Sequence, residues 1–135
     1  MTKIFVEYKG DLHCDAIHNQ SGTSLVTDAP KDNHGRGESF SPTDLVATAL
    51  GSCILSIMGI AARRLEIDIS GATASVDKIM ENKPARRIGE LSVMIRVPLD
   101  VSEKNQKILQ RAALSCPVHK SLHADVRMPI EFSWG

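Results

Sequence analysis

Cysteines stand at positions 14, 53 and 116, and two of them occupy settings in which a thiol can do chemistry. Cys53 lies near the middle of a long stretch without charge. Cys116 directly precedes Pro117, so it falls at a helix N-terminus, where free backbone N–H groups and the positive end of the dipole favour thiolate over thiol. His119, one turn on, and Lys120 add positive charge nearby. A thiolate is the nucleophile and the redox-active form, so the pair fits redox chemistry. The plain alternative for Cys53 is a small core hydrophobe, since free cysteine is among the most buried residue types. A metal reading also exists: Cys116, His119 and His123 follow i, i+3, i+7 spacing, and Cys14 with His18 or His13 could form a second half. That spacing matches no familiar zinc module. Asp44 could polarise a substrate beside Cys53, or it could be the acid of a capping box. Arg36 could lower a thiol pKa, or be a solvated loop arginine.

The element that must position Cys53 begins at Ser41. Ser41 is a good N-cap, Pro42 suits the first helical position, and Asp44 sits three residues after the cap. From Leu45 to Ala62 no residue is charged, and apolar and small residues occupy every face. A helix apolar all round is buried on all sides. Arg63 and Arg64 close it where cations suit the dipole. Leu45–Ala62 is just long enough to span a membrane, but Thr, Ser, Ala and Gly fill half of it. A core helix wrapped by antiparallel sheet is the expectation.

The rest of the chain supplies that sheet. Residues 3–9 read as a strand, Lys9-Gly10-Asp11 as a turn and Leu12–His18 as the returning strand. Thr23–Thr27 is a short third strand, and Ala29–Phe40 is a polar, Gly-rich loop of the kind that is often functional. After the helix, Ala72–Met80 and Arg86–Val97 alternate as a long hairpin, with a slip near Gly89 that reads as a bulge. Ser102 caps a second helix from Glu103 to about Leu114. Pro117 opens a short third helix through Leu122, and Val126–Trp134 is a last strand. The order βββ–α–ββ–αα–β is α+β rather than alternating β/α.

Composition bounds the partners. The chain has 135 residues, 16 basic and 16 acidic, and a formal net charge of zero. It reads as one domain over 1–135. Neutral charge argues against nucleic acid or an anionic membrane as the main partner, and the few aromatics offer no base-stacking platform. MTKIFVEYKG lacks the apolar core of a signal peptide, so a cytoplasmic protein with reduced thiols is expected.

FSPTDLVATALGSC before a buried helix, and CPVHKSL well downstream, together resemble the OsmC/Ohr family of osmotically inducible and organic-hydroperoxide-resistance proteins. The resemblance runs over nearly the whole chain, including the loop at Thr27–Gly37. It implies an intertwined α+β homodimer with two long central helices back to back and sheets outside. It implies further that Cys53 is a peroxidatic thiolate attacking the O–O bond of an organic hydroperoxide, and that Cys116 resolves the sulfenic acid as a disulfide reduced by an external dithiol. No metal or organic cofactor is needed. The peroxidase members carry glutamate directly after the proline of the helix-start motif. Here Thr43 takes that place and the acid follows as Asp44, which resembles the redox-protein branch of the family. Those members also hold the thiolate with an arginine. Arg36 is the best match, ahead of Lys9 and His13, and Cys14 is a bystander. The expected function is a thiol-dependent, peroxidase-like reductase of organic hydroperoxides, with Cys53, Cys116, Arg36 and Asp44 as its site. The rivals are a non-catalytic small-ligand-binding dimer and a stress-associated dimer without ligand.

Overall fold

The computed structural model describes residues 1–135, which divide into two compact units, Met1–Val46 and Ala47–Gly135. The first unit carries a three-stranded antiparallel sheet, β1 (Ile4–Gly10), β2 (His13–His18) and β3 (Ser24–Asp28), in that order. Gly10, Asp11 and Leu12 all have positive φ (91°, 53° and 59°). Successive positive φ values give a tight turn the twist that joins antiparallel strands. Apolar side chains on both faces of β1 are open to solvent: Ile4, Phe5, Val6 and Tyr8 are each more than half exposed.

The segment after β3 is more ordered than a polar loop. A 3-10 turn occupies Lys31–Asn33. The amides of Asn33 and Gly35 both donate to the Pro30 carbonyl, and that of Gly37 to Ala29. The Asp28 amide donates to the Phe40 carbonyl and closes the neck. Gly35 is required here, because a Cβ would lie 1.8 Å from the Ala29 oxygen.

The long helix α1 (Pro42–Arg64) follows. Ser41 and Asp44 form the capping box: the Asp44 amide donates to Ser41 Oγ at 3.1 Å, and the Ser41 amide donates to Asp44 Oδ2 at 2.9 Å. The expectation of burial on all sides is corrected for the single chain. Only the stripe Ala47, Leu50, Gly51, Ile54, Met58 and Ala62 is buried, at the i, i+3, i+4 spacing of one helix face. Thr48, Ala49, Ser52, Ser56 and Ile60 stay exposed. By length and composition α1 could cross a membrane, yet its apolar stripe belongs to the core of the second unit.

That unit contains β4 (Thr73–Glu81), β5 (Arg87–Val97) and β6 (Ile130–Trp134) as a second sheet in this order. The bulge falls where expected: Ile79 pairs with Glu90 and Met80 with Ile88, leaving Gly89 as the extra residue. The all-antiparallel expectation is corrected, because β6 runs parallel to β5. The chain between them crosses back through α2 (Glu103–Leu114) and α3 (Pro117–Ser121), and a helical crossover returns a strand parallel to its predecessor. β6 is also shorter than Val126–Trp134. Pro129 has no N–H to give a ladder, and Arg127 makes only an isolated bridge to Glu90. Leu91, Val93, Ile95 and Val97 of β5 and Leu109 and Ala113 of α2 complete the buried core. Phe132 and Trp134, two apart on one face of β6, stack with centroids 5.9 Å apart.

Candidate functional site

Two helix-borne cysteines form the centre of the candidate site. α1 carries Cys53, which is half-buried, and its rigid frame sets the height of that sulfur. Two residues earlier the helix lies close against the sheet: a Cβ on Gly51 would come 3.1 Å from Val76 Cγ2 and 3.4 Å from Ala74 Cβ. A larger residue at 51 would push α1 away from β4. Cys116 comes from the break between α2 and α3. It is the N-cap of α3, Pro117 follows at the first helical position, and Cys116 Sγ accepts from the His119 amide at 3.4 Å. Cys116 is fully buried.

Cys53 stands near enough to Cys116 to act on its titration, and both are free thiols. The expectation that Cys116 would be biased toward thiolate is corrected. Burial pushes its pKa up, and the hydrogen bond and charge of Cys53 push it the same way, against the backbone N–H groups of His119 and Val118. The short helix is outweighed because desolvation penalises any charge at a buried sulfur. Cys116 is therefore held toward the thiol form.

The other expected residues have partners of their own. Asp44 is held in the capping box. Arg36 Nη2 donates to Asp11 Oδ2 at 3.2 Å, with both side chains largely exposed. Lys9 reaches Glu7 at 3.4 Å. His13 Nδ1 lies 2.6 Å from Oδ1 of the buried Asp28, and its Nε2 is 3.4 Å from Asp15. Cys14 sits in mid-strand on β2, opposite Tyr8 and Thr27. The metal spacing does not become a cluster, since no three His, Cys, Asp or Glu side chains gather as ligands. Cys116 is buried and accepts from the His119 amide, whereas His123 is exposed beside Asp125.

A groove of about 690 Å³ runs along the second half of α1 and the turn after it. Leu55, Gly59, Ile60 and Ile67 supply apolar walls, with Arg63 and Asp68 at its polar edge. Neither Cys53 nor Cys116 lines it. In the sequence Gly51 is one of many small residues in the uncharged stretch from Leu45 to Ala62. Its spacing role depends on Ala74 and Val76, which are distant in the chain and carry no local signal.

A comparison with curated proteins finds no match. A family model described as OsmC-like protein matches residues 35–131. Among solved structures, one described as an osmotic stress induced and detoxification response protein from Psychrobacter arcticus is 50% identical. It matches with a TM-score of 0.93 over 98% of this chain and 96% of that one. An OsmC-like protein from Mycoplasma pneumoniae shares the fold at 18% identity, with a TM-score of 0.83 over 99% of this chain and 96% of that one. An organic hydroperoxide resistance protein from Legionella pneumophila shares it at 15% identity, with a TM-score of 0.78 over 98% and 96%. The α+β order, the two three-stranded sheets and the matched span agree: the chain belongs to the OsmC-like family.

Proposed function

We propose that this protein is a cytoplasmic, thiol-dependent peroxidase-like redox protein that reduces organic hydroperoxides and works as a homodimer in oxidative stress. The observation that supports this reading is the nearness of Cys53 to Cys116, a half-buried thiol beside a buried one. The Cys53 thiolate attacks the outer oxygen of the hydroperoxide. The O–O bond breaks, Cys53 becomes a sulfenic acid, and the alkoxide takes a proton and leaves as alcohol. Cys116 then attacks the sulfenic sulfur, water leaves, and a Cys53–Cys116 disulfide forms. An external dithiol returns both thiols. Arg36 and Asp44 tune the thiolate in this reading, and Cys14 stands aside. The apolar character of α1 favours organic substrates over hydrogen peroxide.

The dimer is supported by apolar surface that a single chain leaves open, along β1 and at Ile60 of α1. A single OsmC-like domain over 1–135 is supported by the family model, whose span crosses the border of the two compact units. A second reading, non-catalytic binding of a small apolar ligand, is favoured by the groove beside Gly59 and Ile60. The test is consumption of cumene hydroperoxide with a dithiol present. Cys53→Ser should abolish turnover, and Cys116→Ser should leave a trapped sulfenic acid. Turnover unchanged in both variants rejects the enzyme reading.

A further inference from the structure

We propose that His13 is a proton-operated latch on the loop from Ala29 to Phe40. As an imidazolium it bridges Asp28 and Asp15 and holds the neck of the loop shut; as a neutral ring it releases that neck. The neck forms where β2 begins and β3 ends, and His13 and Asp28 stand directly opposite each other in the ladder. The Asp28 amide donates to the Phe40 carbonyl and the Ala29 amide to the Leu12 carbonyl, each at 3.0 Å. Ser41, the next residue after Phe40, begins the capping box of α1.

Both ring nitrogens of His13 face acids. Nδ1 lies 2.6 Å from Oδ1 of Asp28, whose side chain is only 4% exposed and has no other side-chain partner. Nε2 lies 3.4 Å from Oδ1 of Asp15. An ionised carboxylate only accepts, and a neutral imidazole carries a single N–H, so it serves one of the two acids. An imidazolium carries two and serves both. The other charges around the ring are already matched. On β1, Glu7 stands opposite Asp15 and holds Lys9 at 3.4 Å, and Asp11 of the turn holds Arg36 of the loop at 3.2 Å. Asp15 and Asp28 therefore supply the negative charge that a proton on His13 answers. Histidine changes charge between about pH 5 and 8. Once the proton leaves, Nε2 turns a lone pair on Asp15, and the buried Asp28 charge faces a neutral ring. A buried charge without a counter-charge is costly, so Asp28 turns toward water and its amide lets go of Phe40.

The test is amide hydrogen exchange of the reduced full-length protein from about pH 5 to 8.5, corrected for intrinsic rates. The probes are the amides of Asp28 and of Gly37, which donates to Ala29; the control is the Val93 amide, which donates to Pro129 in the second sheet. Protection of the two probes should fall roughly tenfold as pH rises, the step between a charge-assisted and a neutral hydrogen bond, while Val93 holds steady. His13→Gln keeps a donor but gains no charge, and it should show the low protection at every pH. Asp15→Asn should move the fall to lower pH, because the imidazolium loses one of its two acids. Asp15 is 43% exposed, so this second variant decides the matter even where His13→Gln does not fold. Ring 15N shifts should show both His13 nitrogens protonated while the neck is protected. Protection that stays flat with pH in the wild type, a wild-type fall in His13→Gln, or an unmoved fall in Asp15→Asn overturns the proposal. No thiol takes part, so the result is independent of the peroxide reading.

Discussion

Fully buried Cys116 has half-buried Cys53 beside it, and burial together with that neighbour pushes the Cys116 thiol pKa up. The pH dependence of stability follows. The folded-state pKa of Cys116 lies above its unfolded value. Its contribution is therefore fully present below about pH 8.5 and is lost as pH rises through the folded pKa, because the unfolded chain releases its proton first. Urea midpoints across pH 7–10.5 should fall on the alkaline side for the wild type and less steeply for Cys116→Ala. Parallel alkaline limbs in the two proteins would mean that Cys116 is not the group responsible.

Gly51 sets how closely α1 approaches β4. A methyl there meets Val76 at 3.1 Å, tight but only by a few tenths of an ångström. Replacing a helical glycine by alanine gains roughly 0.5–1 kcal/mol of backbone entropy. Gly51→Ala should therefore be nearly neutral in urea unfolding. Gly51→Leu should lose about 1–3 kcal/mol through overpacking, and Val76→Ala should return part of it. If Gly51→Leu is as stable as the wild type, the close approach is not a constraint.

The bulge at Gly89 is roofed by Glu81, whose carboxylate takes Arg87 and Arg127 at 2.8 Å each. A Cβ at 89 would fall 2.4 Å from Glu81 Cγ. Gly89→Ala should destabilise the chain in urea unfolding, and the same change in a Glu81→Ala background should be much milder, a non-additive pair. Additive effects would show that the roof is incidental. The two arginines hold the Glu81 carboxyl below its usual range, Arg127 most strongly. Its contribution to stability is present above the ordinary carboxylate range and is lost as pH falls through the depressed value.

Asp44 has a defined structural task in the capping box, and Arg36 a weak exposed pairing with Asp11. Asp44→Ala should cost about 0.5–2 kcal/mol of stability, whereas Arg36→Ala should cost under about 1 kcal/mol. If Arg36 tunes the thiolate, its removal should slow alkylation of Cys53 at neutral pH while the urea midpoint hardly moves. An unchanged alkylation rate would leave Arg36 a surface residue.

What the sequence made legible follows from range. The capping box, the Pro117 start of α3, the Gly89 bulge and the bounds of α2 depend on neighbours within a few residues, and all were readable. The parallel course of β6, the 3-10 turn at Lys31–Asn33 and the exposed sides of α1 depend on tertiary placement. Periodicity specified the strands of the second sheet but not their direction. The two cysteines were readable as reactive types, yet the charge state of Cys116 was not. Helix-end chemistry is local and favours thiolate, while burial and the proximity of Cys53 arise only once residues far apart in sequence meet.

The central claim is tested most directly by peptide mass spectrometry after one equivalent of cumene hydroperoxide. The account predicts loss of two hydrogen masses per chain and a single cross-linked peptide pair containing Cys53 and Cys116, with Cys14 still alkylatable. Free thiols at both positions after peroxide exposure, or a cross-link through Cys14, would contradict it.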